Sequence, residues 1–68
     1  MVETMEWGRN IRAYRKLKGF TQQDFAKEIH VSVSLLGEIE RGIRHPDEEL
    51  INRICACLQV SKQDMMQL

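Results

Sequence analysis

Apolar residues recur at helical spacing along almost the whole chain of 68 residues, and this periodicity limits the possible folds more than any other feature. Trp7, Ile11 and Tyr14, for example, stand at positions i, i+4 and i+7, which lie on one face of a helix. The only alternating stretch, residues 31–34, is four residues long and is bordered by capping residues. The pattern therefore predicts an all-α fold.

Capping signals divide the chain into five short helices with joints of two to four residues. Thr4, Thr21 and Ser32 are candidate N-caps of the first three helices. Pro46 is expected in the first turn of the fourth helix, where a missing N–H has no cost. A capping box at residues 61–64 predicts a short last helix, whose Met65 and Leu68 are expected to pack back on the core.

Length and charge exclude several classes of protein. The chain allows one small domain, residues 1–68. Its ten basic and ten acidic residues cancel, which excludes a strongly basic nucleic-acid binder without specificity. It has neither an apolar run near the ~18 residues of a membrane span nor an export signal. We therefore expect a cytoplasmic protein with no membrane contact.

The charges are unevenly distributed along the chain. Residues 9–18 hold five basic residues and no acidic one, whereas residues 38–49 hold five acidic and two basic residues. The molecule is therefore expected to have a basic side and an acidic side. Within the basic stretch, we interpret Arg9, Arg12 and Lys16 as a face in contact with solvent.

The sequence predicts no enzyme, metal or cofactor site. Cys55 and Cys57 point about 200° apart on a helix, so they are expected to be free thiols, with Cys55 the more buried. His30 and His45 are isolated, and no Ser/His/Asp set or Gly-rich phosphate loop occurs. No small-molecule ligand is expected, because so small a bundle has little room for a cleft of about 300–1,000 Å³.

The spacing of the second and third helices carries the functional signal. Residues 21–29, a three-residue break and residues 33–41 have the layout of a helix-turn-helix. In such a pair the second helix lies in the major groove of DNA while the first contacts the backbone. On a helical wheel, Leu36 and Ile39 face the core. The residues predicted to face outward are Ser34, Gly37, Glu38 and Arg41, with Val33 at the exposed N-terminal tip.

Several short motifs also occur in a fixed order. They are Gly8-x-x-Ile11-Arg12-x-x-Arg15, Gly19-Phe20-Thr21-Gln22-Gln23-Asp24-Phe25-Ala26, Val31-Ser32, Ile39-Glu40-Arg41-Gly42, Pro46 and Val60-Ser61. Each motif alone is weak, but the ordered set resembles the Cro/CI, or lambda-repressor-like, helix-turn-helix family. The resemblance implies a five-helix DNA-binding domain, usually dimeric on operator DNA. Its core is expected at about residues 6–66 and its helix-turn-helix at about 22–41.

The resemblance also implies roles for single residues in DNA binding. Val33, Ser34 and Glu38 are the expected base-reading residues. Val33 is able to contact a thymine methyl group, and the hydroxyl of Ser34 is compatible with most bases. The carboxylate of Glu38 is able to accept a hydrogen bond only from N4 of cytosine.

Phosphate contacts, which position the protein without specifying sequence, are expected from Gln22, Ser32, Arg41 and Arg44. Gln22 stands in the first turn of the second helix, and the family uses this glutamine on phosphate. Ser32 is expected to act first as a helix cap and second as a phosphate contact. Arg41 and Arg44 follow the recognition helix, beside the duplex.

We further expect Arg15 and Glu40 to form a largely buried ion pair between the first helix and the end of the third. Each is a charged residue next to an apolar stripe, beside Tyr14 and Ile39 respectively. The family resemblance implies a pair here too.

Together these expectations predict a sequence-specific transcriptional regulator of the repressor type. Its recognition helix, at about residues 33–41, would lie in the major groove of double-stranded DNA, and the protein would bind as a homodimer. The alternative is a protein-interaction module with the same fold, antitoxin-like or partner-docking, with weak or no specific DNA binding. The zero net charge and the acidic Glu38 in the recognition helix motivate this alternative.

Overall fold

The computed structural model describes residues 2–66 of the chain, with side chains described for residues 7–66, and this part forms five helices and no strand. The helices are α1 (Val2–Leu17), α2 (Gln22–Glu28), α3 (Val33–Glu40), α4 (Glu48–Leu58) and α5 (Lys62–Met66). The all-α, five-helix prediction is confirmed. None of these helices is long and apolar enough to cross a membrane.

Side-chain caps fix where four of the helices begin. Thr21, Ser32, Asp47 and Ser61 each accept a hydrogen bond from the backbone N–H three residues further on, at 2.8 to 3.0 Å. Each such cap stabilises a helix by about 1 kcal/mol. Because Asp47 caps α4, Pro46 precedes the cap, and the prediction that it lies in the first turn is wrong.

Local backbone geometry ends the helices. The start of α1 at Val2 places Thr4 inside the helix, so Thr4 is not its cap. Gly19, with φ of 87°, reverses the chain after α1. His30 adopts φ of 63° after α2, in the left-handed region that favours glycine. A side chain in this conformation costs about 1 kcal/mol, so tertiary contacts must fix the turn.

One hydrophobic core joins all five helices. Met65 of α5 is completely buried, whereas Leu68, expected beside it, lies outside the described residues. Phe20 and Phe25 pack with ring centroids 5.4 Å apart at a tilt of 49°. The buried apolar residues are Ile11, Phe25, Ala26, Ile29, Leu36, Ile39, Leu50, Ile51, Ile54, Cys55, Leu58 and Met65.

Two contacts of α1 determine where the other helices sit. Gly8 is buried against the end of α3, and a Cβ there would overlap the carbonyl oxygen of Ile39. The absence of a side chain at Gly8 therefore permits the two backbones to approach each other. At the other side of α1, the buried Asn10 donates from Nδ2 to the carbonyl oxygen of Met65 at 2.6 Å. This hydrogen bond connects α5 to the core.

Both cysteines are free thiols on α4. Cys55 is buried and Cys57 is half-buried, in the order expected from the apolar stripe. Burial raises the pKa of both thiols, and the nearby charge of Glu28 raises the pKa of Cys57 further. A raised pKa lowers the thiolate fraction at neutral pH, so these thiols are poor nucleophiles.

Candidate nucleic-acid interface

The pair α2 and α3 has the arrangement of a helix-turn-helix, with residues 29–32 as the connection. The connection is closed by hydrogen bonds. The N–H of Val31 donates to the carbonyl of Ala26 at 2.9 Å, and the Oγ of Ser32 accepts from the N–H of Leu35 at 3.0 Å. The packing of α2 therefore fixes the direction in which α3 leaves the core.

The first turn of α3 is exposed on one side and buried on the other. Val33 retains 40% of its surface exposed and Ser34 is exposed, whereas Leu36 and Ile39 are buried. An exposed valine beside an exposed hydroxyl gives this end of α3 one apolar and one polar group. Those groups match the methyl groups and hydrogen-bonding edges of bases.

The prediction that Gly37 faces solvent is wrong, because Gly37 is buried. The side chains of Arg41 and Gln22 cover it. A Cβ at Gly37 would lie 3.2 Å from Nη1 of Arg41 and 3.9 Å from Nε2 of Gln22. A helical wheel gives directions from the axis but does not include long side chains that fold over a glycine. Ser34, Gly37 and Arg41 share one face of α3. The side chains that lie over Gly37 therefore extend the exposed face of Ser34 towards α2.

Glu38, in the middle of α3, forms an ion pair with Arg44. Nε of Arg44 donates to Oε1 of Glu38 at 2.9 Å, and the two side chains are 60% and 36% exposed, respectively. The backbone N–H of Ile43 also donates to the carbonyl of Glu38, at 2.9 Å, which folds the loop after α3 back on the helix. An exposed pair adds little stability, but it offsets the negative charge on the outer side of α3.

Arg15 and Glu40 form an ion pair between α1 and the end of α3. Nε of Arg15 donates to Oε2 of Glu40 at 2.6 Å and Nη2 donates to Oε1 at 3.2 Å. Nη1 of Arg15 donates to the carbonyl of Phe20 at 2.8 Å. Gln22 completes the network by donating from Nε2 to Oε1 of Glu40 at 3.1 Å. The buried pair therefore orients the amide of Gln22.

A cleft of about 440 Å³ opens where α1, α2 and α3 meet. Its volume contradicts the expectation that so small a bundle has no ligand-sized cleft. The expectation fails because long polar side chains, both exposed and buried, form the walls where the three helices meet. The lining residues are Arg12, Arg15, Gln22, Glu40 and Arg41. Gln22 and Arg41, two of the expected phosphate contacts, thus line the same cleft.

The sequence interpretation missed Arg12 as a candidate. Arg12 is exposed, as expected, but it lines the cleft. The residues three and four positions away from it are Gly8, Arg9, Arg15 and Lys16, so no acidic neighbour on α1 is placed to pair with it. This lack of an acidic neighbour is the one feature of the sequence that could have indicated a binding role for Arg12. The position of Arg12 opposite α2 and α3 follows only from the packing of the helices.

The other expected phosphate contacts lie at the two ends of α3. Ser32 is exposed, and its Oγ accepts the capping hydrogen bond, which leaves the hydroxyl hydrogen for a further acceptor. Arg41 is exposed and forms no ion pair with any residue whose side chain the structure describes. Arg44 uses Nε for Glu38, and its two terminal nitrogens remain as donors.

Comparisons with known proteins give the family of the chain. A family model described as helix-turn-helix matches residues 11–65. The uncharacterized HTH-type transcriptional regulator YazB of Bacillus subtilis is 50% identical over 94% of this chain and 93% of its own length. The antitoxin PezA of Streptococcus pneumoniae is 36% identical over 87% of this chain, which spans 37% of PezA.

The fold also matches a solved structure. The clp gene regulator ClgR of Corynebacterium glutamicum superposes with a TM-score of 0.88 at 32% sequence identity. The match covers 93% of this chain and 81% of that one. Family model, relative and solved structure agree with the helix-turn-helix geometry of α2 and α3. The chain therefore belongs to the Cro/CI-like helix-turn-helix family of DNA-binding transcriptional regulators.

Proposed function

We propose that the domain binds double-stranded DNA sequence-specifically, with α3 in the major groove. The observation that carries the proposal is the two-sided character of α3, whose residues Leu36 and Ile39 are buried while Val33 and Ser34 are exposed in its first turn. Helix-turn-helix proteins place the N-terminal residues of the second helix against base edges. Val33 then contacts a thymine methyl group, and Ser34 hydrogen-bonds a base.

Phosphate contacts on both sides of the groove hold α3 in place. Ser32 contacts the backbone at the start of α3, and Arg41 and Arg44 contact it at the end. Gln22, fixed by Glu40 at 3.1 Å, contributes an amide N–H from α2. These groups fix register and orientation and carry no sequence information of their own.

A homodimer on paired half-sites is compatible with the dimensions of the domain. The Cα positions extend over 26 × 23 × 20 Å. Half-sites one helical turn apart have centres about 34–36 Å apart, so two copies fit side by side without collision. In this arrangement the protein acts in the cytoplasm as a repressor that occupies operator DNA. Its oligomeric state on DNA is measured by sedimentation with duplexes that carry one or two half-sites.

Replacing Glu38 with glutamine is expected to move the preferred base from cytosine towards adenine at one operator position. A carboxylate accepts from N4 of cytosine, whereas a glutamine amide pairs with N6 and N7 of adenine. The expected discrimination is about 1–3 kcal/mol. Competition binding to duplexes that differ at single positions, with parent and variant protein, measures this shift. An equal gain of affinity on all duplexes contradicts base reading and assigns Glu38 to phosphate repulsion alone.

Arg41→Ala and Arg44→Ala are expected to weaken DNA binding in different ways. Loss of Arg41 removes one phosphate contact, so affinity falls equally for all sequences and the slope of log affinity against log salt decreases by about one. Loss of Arg44 also frees the carboxylate of Glu38, which Arg44 holds at 2.9 Å. We therefore expect Arg44→Ala to change the preference at the base that Glu38 reads. A changed preference for Arg41→Ala with an unchanged salt slope contradicts its phosphate role.

The alternative is a protein-interaction module, and the acidic group on the recognition helix is the observation that favours it. Glu38 is 36% exposed, and the net charge of the chain is zero. A similar sequence also occurs in PezA, which is named an antitoxin. Titration of random duplex DNA at increasing salt separates the two functions. A protein that contacts phosphates loses affinity for DNA steeply as the salt concentration rises. A protein that binds no duplex even at low salt is instead an interaction module.

A further inference from the structure

The cleft between α1, α2 and α3 has a net positive charge. Of its charged lining residues, Arg15 and Glu40 offset each other at 2.6 Å. Arg12 and Arg41 are exposed, and neither forms an ion pair within the part of the chain whose side chains are described. Two guanidinium groups at the walls of one cleft repel each other unless an anion lies between them. The charge therefore favours an anionic ligand.

The hydrogen-bond donors of the cleft also suit a phosphate. The amide nitrogen of Gln22 donates one hydrogen to Glu40 at 3.1 Å, which leaves its second hydrogen for a ligand. The guanidinium of Arg41 lies over Gly37, next to this amide. Guanidinium groups bind phosphate oxygens through two parallel hydrogen bonds. The cleft thus combines two such groups with one fixed amide donor.

The position of the cleft connects it to the recognition helix. Arg41 follows α3 directly, and it lies on the same helix face as Ser34. A duplex whose bases contact Ser34 would bring its backbone along this face towards the cleft. The phosphates that flank the contacted bases are therefore the anions within reach.

We infer that the cleft receives one phosphate group of the DNA backbone and that Arg12 of α1 is one of its ligands. The inference rests on the proposed function and adds α1 to an interface that otherwise consists of α2, α3 and the following loop. It also separates Arg12 from Arg9, because Arg9 lies one turn earlier on α1 and does not line the cleft. The two arginines therefore form a matched pair for an experiment.

Arg12→Gln is expected to lower the affinity for duplex DNA about tenfold, the low end for a hydrogen bond to a charged group. The slope of log affinity against log salt is expected to fall by about one, with no change in base preference. The melting temperature stays at the parent value because Arg12 is exposed and unpaired among the described residues. An unchanged affinity and salt slope overturn the inference.

Arg9→Gln is the control for the general electrostatic field. It removes the same charge from the same helix, and we expect a smaller loss of affinity, with a smaller change of slope, than for Arg12→Gln. An equal effect of the two substitutions overturns the inference, because the arginines then act through their charge at a distance and not through contact in the cleft.

Inorganic phosphate tests the cleft apart from DNA. Its titration is followed by nuclear magnetic resonance of the Gln22 side-chain amide, in the parent and in Arg12→Gln. We expect a saturable shift in the parent that is weaker in the variant. A parent that binds no duplex at low salt but gives this shift overturns the proposed function and keeps the cleft as an anion site. The absence of a shift, together with an unchanged salt slope for Arg12→Gln, overturns the inference that the cleft binds a phosphate group.

Discussion

Replacing Glu40 with alanine is expected to destabilise the domain by about 3–5 kcal/mol, the usual cost of removing one partner from a buried ion pair. The side chains of Arg15 and Glu40 are 7% and 3% exposed, so water cannot fully hydrate the guanidinium that remains. Gln22 loses its acceptor as well. A domain of this size has a total stability of about 3–10 kcal/mol, so the substitution is expected to remove a large part of it. Urea unfolding followed by circular dichroism measures the loss.

Two further variants separate the buried charge from other effects of the substitution. Glu48→Ala breaks the pair between Glu48 and Lys62, whose charged atoms are 2.9 Å apart but whose side chains are exposed, and we expect an unchanged melting temperature. The double variant Arg15→Met, Glu40→Leu leaves no charge without a partner and is expected to be more stable than Glu40→Ala alone. A melting curve of Glu40→Ala that overlays that of the parent contradicts the importance of the pair.

Local signals made much of the fold predictable from the sequence. Thr21 and Ser32 cap helices at the predicted residues, because a cap depends on a side chain and a backbone N–H only three positions apart. The same reasoning failed at Thr4, since a residue able to cap a helix does not prevent the helix from starting earlier. It also misplaced Pro46, because Asp47 is the better cap and is the next residue.

Helical periodicity predicted the environment of a site residue only where the surroundings of that residue lie on one helix. The periodicity of α3 is enough to place Leu36 in the core and Val33 at the surface. Gly37 was misjudged, and the place of Arg12 beside the cleft was missed, because contacts that a helical wheel does not include decide their environment. Arg41 and Gln22 cover Gly37, and Arg12 faces a cleft that exists only after α1, α2 and α3 have packed.

Replacing Gly8 with alanine is expected to destabilise the domain by about 3 kcal/mol, at the upper end of the usual cost of overpacking. A Cβ at Gly8 would overlap the carbonyl oxygen of Ile39 and lie 2.9 Å from that of Glu40. Both oxygens belong to the backbone of α3, so no change of rotamer relieves the overlap. The helices α1 and α3 must then move apart, which also lengthens the hydrogen bonds between Arg15 and Glu40.

Gly37→Ala is the matched control, because Gly37 also lies inside a helix. Alanine favours a helix interior over glycine by about 0.5–1 kcal/mol at either position. At Gly37, however, the nearest atom to a new Cβ is Nη1 of Arg41 at 3.2 Å, the end of a flexible side chain that is free to move. We therefore expect Gly37→Ala to unfold at the same urea concentration as the parent or a higher one, and Gly8→Ala to unfold at a much lower one. Equal midpoints for the two variants would mean that helix propensity alone decides, and that the backbones of α1 and α3 do not meet at Gly8.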